Sequence, residues 1–244
     1  MLIKPPIKTN SSKLSICSWI IEKFPVGYED MSYIEPFIGN GSIFLNKLKS
    51  KEEVASDLNK NIIYTWKAIR DENKSFRSKL SKLKYNEKSF AFIKNKKIEN
   101  DYFKEAFKDF TTRKMSKATC KETYEPLDRK KANKIWKETA DNLLIIEKRI
   151  KDAYFLNRNP AEIISSFDNQ NTLCFCCPPP MTDDKKAEMT TDDYVKITDA
   201  ILSFRGKVVF CGNACTFYRR IFKEWKLIKK KSTAKKADCL WINF

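Results

Sequence analysis

The chain has 244 residues, enough for one large domain or two small ones, and can bury a core without metal or disulfide staples. Hydrophobic residues make up 42% and aromatics 13%, which excludes a disordered chain despite 32% charge. Lys and Arg number 48 against 31 Asp and Glu, and the net charge of +17 with no His points to a polyanionic partner. No run approaches the roughly 20 apolar residues a bilayer requires, so no membrane role is expected. The 8 Cys are irregularly spaced, with three inside 174–177 and no signal peptide ahead of them, so a reducing compartment, cytoplasm or nucleoid, is expected. The basic, Ser-containing opening faintly resembles a transit peptide but lacks Arg, and it reads as part of the fold.

In chain order, Leu14, Trp19, Ile20 and Phe24 fall near helical spacing, which predicts a helix over 13–24, ended before Pro25. MSYIEPFIGNGS predicts a short strand running into a Gly-containing turn, and SIFLNKLKS a helix. VASDLN predicts a second strand, closing on Asp57, and NIIYTWKAIRD the next helix. Strand, Gly turn, helix, acidic strand end and helix open a doubly wound nucleotide-binding sheet. Over 71–142 the composition shifts to Lys-rich segments with scattered Phe and Tyr and no convincing strand, which predicts a helical insert. The sheet is expected to resume with DAYFLNRN, NTLCFCC and GKVVFCG, separated by the helical stretches AEIISSF and TTDDYVKITDAILSF. A final hairpin, ending on Cys239–Phe244, closes the chain. The expected domains are therefore a sheet domain, 1–70 with 143–244, and the insert, 71–142.

The segment from Glu35 to Phe44, EPFIGNGSIF, is the most informative. Gly39 and Gly41 are two of only 5 glycines, and they let the backbone turn sharply and approach a ligand at the carboxyl end of a strand. Two glycines in a turn are often only a turn. Here an acidic residue precedes them, a helix follows, and Asp57 sits at the end of the next strand, where a carboxylate accepts ribose hydroxyls. The combination favours a nucleoside-bearing ligand.

The segments EPFIGNGSIFLN and ASDLNKNIIYTWKAI, with IKTNSSKLSICSWIIEKFP before them, resemble the Dam-type DNA adenine methyltransferases. So do FTTRKMSKATC, the run from ADNLLIIEKRI to NTLCFCCPPP, GKVVFCGNACTFYRRIFKEWKL and DCLWINF. They span nearly the whole chain in the family's order. The resemblance implies a Rossmann-type α/β fold with a mixed seven-strand sheet and a basic, helical target-recognition insert. It also implies S-adenosylmethionine as cofactor, with Lys13, Glu35, Phe37, Gly39, Gly41, Asp57 and Asn159 in its pocket.

The departures from the family matter as much. Active members carry Asp-Pro-Pro-Tyr after the fourth strand, and Cys177, Pro178, Pro179 and Pro180 stand there in this chain. In the family the carboxylate and a backbone carbonyl accept hydrogen bonds from the adenine amine, and the Tyr stacks on the flipped base. Cys177 is a weak acceptor and Pro180 has no extended π face, so a loss of several orders of magnitude in rate is expected. The family's N-terminal Trp and paired Gly are replaced by Thr9, Ser11 and Ser12, while Lys8 and Lys13 stand. An Asp of the cofactor pocket becomes Asn159, and the glycines of the insert's DNA-contacting segment become Ala118 and Thr119. Cofactor binding is accordingly expected to be weak or lost.

Residues 219–236 carry nine basic residues and one acid, and the insert adds Arg113, Lys114, Lys117 and Lys121 within nine positions. Charge runs are usually a solvated face. These two fall where the resembling family grips DNA, so Arg113, Lys114, Ser116, Lys117 and Lys121, with Lys229, Lys230 and Lys231, are the expected nucleic-acid contacts. Phosphate contacts need only cations and survive the loss of catalysis. The expected function is a nucleic-acid-binding homologue with a degenerate catalytic loop, duplex DNA ahead of RNA. An active adenine methyltransferase and a structural subunit with a protein partner are the alternatives. Cys176, Cys177, Cys211 and Cys215 are poorly spaced for zinc, and buried Cys is common in strands, so no metal is expected.

Overall fold

The computed structural model describes residues 2–9, 12–117, 121–181, 189–230 and 238–244. Seven strands form one sheet: β1 (Ser32–Glu35), β2 (Glu52–Ser56), β3 (Tyr154–Leu156), β4 (Thr172–Cys176), β5 (Lys207–Asn213), β6 (Lys226–Lys229) and β7 (Asp238–Ile242). Their order is β3-β2-β1-β4-β5-β7-β6. β1 pairs in parallel with both β2 and β4, β4 with β5, and β7 runs antiparallel to β5 and β6. β4 is buried at every residue, as expected of an unbroken apolar run in a sheet covered on both faces. The expected mixed α/β sheet is the one observed, including the closing hairpin.

The helices are α1 (Cys17–Ile21), α2 (Ser42–Asn46), α3 (Lys60–Asp71), α4 (Asn73–Ser81), α5 (Glu87–Asn95), α6 (Tyr102–Met115), α7 (Arg129–Ile150), α8 (Pro160–Ser166), α9 (Thr191–Leu202) and α10 (Thr216–Ile221). The helix expected over 13–24 is split into a 3-10 turn, Leu14–Ile16, and the short α1. The chain forms two compact units. The first comprises Met1–Cys17, Gly39–Lys47 and Asn59–Phe155, and the second Ser18–Ile38, Leu48–Leu58 and Leu156–Phe244. The sheet belongs to the second unit, the boundary falling inside β3. The stretch expected as an insert, 71–142, lies wholly within the first.

In the second unit, Phe210 centres an aromatic core, its ring 4.7 Å from Tyr218 and 4.8 Å from Phe222, with Trp241 at 5.9 Å. Full burial of such a side chain contributes about 1.5–3 kcal/mol. Cys174, Cys176, Cys211 and Cys239 are buried in the strands as small apolar residues. Thr190 and Asp193 form a reciprocal capping box at the start of α9.

In the first unit, α3 buries Ile62, Ile63, Trp66 and Ile69 along one face. Phe76 of α4 meets the rings of Phe103, Phe107 and Phe110 of α6 edge-on. Asn59, Asn86, Asp101 and Asp128 each accept a backbone N–H at a helix start, so four helices of this unit begin on a side-chain cap. Asn46 closes both polar groups of Ile3, accepting its N–H at 2.7 Å and donating to its carbonyl at 3.0 Å.

The Gly loop of this unit is held by Trp66. Its indole N–H donates to the Gly39 carbonyl at 3.1 Å, and its ring stacks on Phe155 at 5.6 Å and 12°. Gly41 has φ +71°, and a Cβ there would lie 2.5 Å from the Trp66 ring, whereas a Cβ on Gly39, at φ +47°, would meet nothing within 4 Å. Gly41 is thus required by an internal close approach as well as by its backbone. Gly41→Ala should cost about 2–4 kcal/mol, combining left-handed strain and overpacking, and Gly39→Ala only about 1–2 kcal/mol. Guanidinium unfolding of both variants checks this; equal losses would contradict the role given to Trp66.

Candidate functional site

In the second unit, β1, β2 and β4 are parallel, so their carboxyl ends lie along one edge of the sheet. Glu35, at the end of β1, is 3% exposed and accepts the Tyr33 hydroxyl at 2.7 Å. Burial, then the Glu35 charge, pushes the Tyr33 phenol well above its ordinary range, which keeps it a neutral donor. Phe37 packs half-buried against the core. Asp57 follows β2 and is half-exposed. Its backbone is pinned by its neighbours. The Asp57 N–H donates to the Leu156 carbonyl at 3.3 Å, and the Asn157 amide donates to the Asp57 carbonyl at 2.7 Å. Asn159 caps α8, its side-chain oxygen accepting the Ala161 N–H at 2.9 Å.

The loop after β4 takes Cys177 half-buried, Pro178 buried, Pro179 half-buried and Pro180 exposed. Tyr194 of α9 donates its hydroxyl to the Pro179 carbonyl at 3.0 Å, and burial raises its pKa. Tyr218 is buried beside this loop. Its hydroxyl has no hydrogen-bond partner among the described residues, and burial, then Cys176 and Tyr194, drives its pKa far up. Burial likewise raises the Cys174 and Cys176 thiols, which stay protonated. The loop therefore presents a half-buried Cys177 thiol and an exposed Pro180 ring at the end of β4. Among the described residues no group of three or more Cys, Asp or Glu is placed to hold a metal ion.

In the first unit, the Asn40 side chain accepts both the N–H and the hydroxyl of Ser42, at 3.1 and 2.8 Å, and so shapes the Gly39–Gly41 loop. Lys13 is half-buried, and its carbonyl accepts the Ile16 N–H at 3.1 Å to start the 3-10 turn. Ser12 and Ser42 hydroxyls lie 3.3 Å apart. Lys8 donates to Glu125 at 2.6 Å and to the Ser116 carbonyl at 3.0 Å.

Several residues expected at the nucleic-acid face are committed inward. Asp109, 4% exposed, binds Arg113 at 2.6 Å and Lys121 at 2.9 Å. Ser116 is fully buried, its hydroxyl donating to the Arg113 carbonyl at 3.3 Å and accepting the Lys121 N–H at 3.2 Å. Lys114 is half-buried and Lys117 exposed. In the second unit, Lys229 is exposed on β6, and the Lys230 ammonium lies 5.2 Å from the Trp19 ring centroid. Ser11, Ala118, Thr119 and Lys231 lie outside the described residues. Sequence reasoning missed Tyr33, Trp66, Asp109, Asn157, Tyr194 and Tyr218. Asp109, four residues before Arg113 in a predicted helical stretch, and Tyr33, two residues before Glu35 in a predicted strand, gave readable signals.

The reversal of strand order on the two sides of β1, together with an antiparallel β7 at the far side of β5, defines a Rossmann-type methyltransferase fold. The profile of the D12 class N6 adenine-specific DNA methyltransferases matches residues 12–234, and the chain belongs to that family. Type II methyltransferase M.MjaIII of Methanocaldococcus jannaschii is 28% identical over 110 residues, which cover 43% of this chain and 37% of that protein. The match thus spans little more than a third of the relative's length. Among solved structures, a Haemophilus influenzae protein described as a methylase, HI0767, aligns with 95% of this chain and 96% of its own at 11% identity and a TM-score of 0.42. The Escherichia coli protein yhhF, described as a methyltransferase, aligns with 99% of this chain and 90% of its own at 9% identity and a TM-score of 0.41.

Asp109 is expected to matter for stability before binding. Asp109→Ala leaves the largely buried Arg113 unpaired and should cost about 3 kcal/mol in urea unfolding. Adding Arg113→Ala should recover part of that loss. A double variant no more stable than Asp109→Ala alone would contradict the pairing.

Proposed function

We propose that the chain is a DNA-binding member of the D12 class that has lost methyl transfer. The observation that carries this reading is the Cys177-Pro178-Pro179-Pro180 loop at the end of β4. The adenine amine is a poor nucleophile because its lone pair is delocalised into the ring. Attack on a methyl group requires acceptors that take its hydrogens and orient the lone pair. Cys177 supplies no carboxylate and Pro180 brings no aromatic face, which leaves the Pro178 carbonyl as the acceptor of the loop. Stacking alone is worth about 1–3 kcal/mol per base, and each 1.4 kcal/mol is a factor of ten in rate.

For S-adenosylmethionine the residues of the second unit fit in part. Asp57 follows β2, where a carboxylate can take ribose hydroxyls, whereas the Asn159 oxygen caps a helix and Glu35 is bonded by Tyr33. We infer weak cofactor binding. DNA is gripped through phosphates, with Lys117 and Lys229 as exposed cations of the two basic segments and the net charge of +17 favouring approach.

Two outcomes are expected. Fluorescence anisotropy on duplex DNA should show log affinity falling linearly with log salt, and Lys117→Gln with Lys229→Gln should lower the slope by up to about 2, near 0.9 per phosphate. No binding near physiological salt, or an unchanged slope, would contradict the assigned surface. Separately, Cys177→Asp with Pro180→Tyr should gain measurable methyl transfer to adenine in duplex DNA. Failure to gain it, with Asp57-dependent S-adenosylmethionine binding intact by calorimetry, would show that the loop is not what silences the chain.

A further inference from the structure

The first unit contains a cleft of about 490 Å³, lined by the N-terminal segment, the end of α6 and the start of α7. Three lysines line it, Lys4, Lys8 and Lys114, against a single acidic residue, Glu125. Glu125 is already neutralised by Lys8 at 2.6 Å. Two of the three cations therefore have no counter-charge on the cleft wall. Lys114 carries the sharpest imbalance. Burial, then the charges of Lys8 and Lys4, pull its pKa down, with Glu138 opposing them. A lysine packed among lysines in a half-buried cleft is a standing cost that an anion would remove.

The rest of the wall is mixed. Pro5, Pro6, Leu127 and Ile135 are its apolar part, with the Tyr85 ring, fixed by its hydroxyl donating to the Glu125 carbonyl at 3.1 Å, and Thr9, Ser12 and Asn40 are its polar part. Small-molecule sites are commonly clefts of about 300–1,000 Å³ with mostly apolar walls and a few convergent polar groups. Lysine binds phosphate as a point charge, and a phosphate monoester carries about −1.5 to −2 near neutral pH, close to the cleft's excess.

We propose that this cleft binds a small phosphate monoester with an apolar or aromatic body, a nucleoside monophosphate being of suitable size. Lys4 and Lys114 receive the phosphate, and the prolines and aliphatic side chains take the nucleoside. The proposal stands on the first unit alone and does not rest on the DNA-binding reading. The cleft borders the Gly loop at Asn40 and the N-terminal segment at Thr9 and Ser12, and its Lys114 is also one of the expected nucleic-acid contacts.

Isothermal calorimetry on the full chain tests it, with adenosine 5′-monophosphate, adenosine and inorganic phosphate as separate probes. The monophosphate should bind, and adenosine should bind at least about tenfold more weakly. Lys114→Gln should weaken the monophosphate by about tenfold while leaving the thermal midpoint unchanged or raised, because a repelled buried charge is removed. Should that variant fail to fold, the exposed Lys4→Gln gives the same comparison with a loss of about threefold. Absence of monophosphate binding, or equal binding to wild type and Lys114→Gln, overturns the proposal. Displacement of the monophosphate by a duplex oligonucleotide at equal phosphate concentration overturns the small-ligand assignment and makes the backbone of DNA the source of the phosphate.

Discussion

The parallel pairing of β1 with β2 on one side and β4 on the other is the constraint on which the second unit depends. Because the strand order runs outward in opposite directions from this point, crossovers leave a crevice at the carboxyl ends, where α/β sheets bind their ligands. Glu35, Asp57 and Cys177 each follow or end one of these three strands, so the fold fixes their placement along one edge whatever their chemistry. That separation of position from chemistry is what lets a member of a methyltransferase family keep the sheet while its loop changes. The β4 strand stays buried throughout, and Cys177 follows it with a half-buried thiol.

Electrostatics divides the basic residues into two groups. Arg113 and Lys121 serve Asp109, and Lys8 serves Glu125, so these cations stabilise the first unit before they can meet a phosphate. Pairing a buried carboxylate in this way costs desolvation, and breaking it costs more. Lys117 and Lys229 face solvent, where screening leaves them little to contribute to stability. A charge count from the sequence alone treats both groups alike.

The sheet was legible because its strands are short apolar runs bounded by turn residues, and VASDLN, NTLCFCC and GKVVFCG each proved to be a strand. The Gly39–Gly41 turn was legible for the same local reason. What Gly41 accommodates was not: its neighbour is the Trp66 ring, on a helix whose packing sequence spacing does not reveal. Asn159 caps α8 through a neighbour two residues on, a local role that the resemblance of motifs does not convey. The Tyr33–Glu35 bond was readable in principle, since residues two apart on a strand share a face. Tyr194, fifteen positions beyond Pro179, left no such trace.

The account turns on whether the loop after β4 can activate an adenine amine. The most direct test is transfer of a radiolabelled methyl group from S-adenosylmethionine to adenine in duplex DNA by the purified wild-type chain. Labelling no higher than in an enzyme-free control is the predicted result. Time-dependent labelling that scales with protein concentration would contradict it, and would mean that Cys177 and the prolines beside it support the chemistry after all.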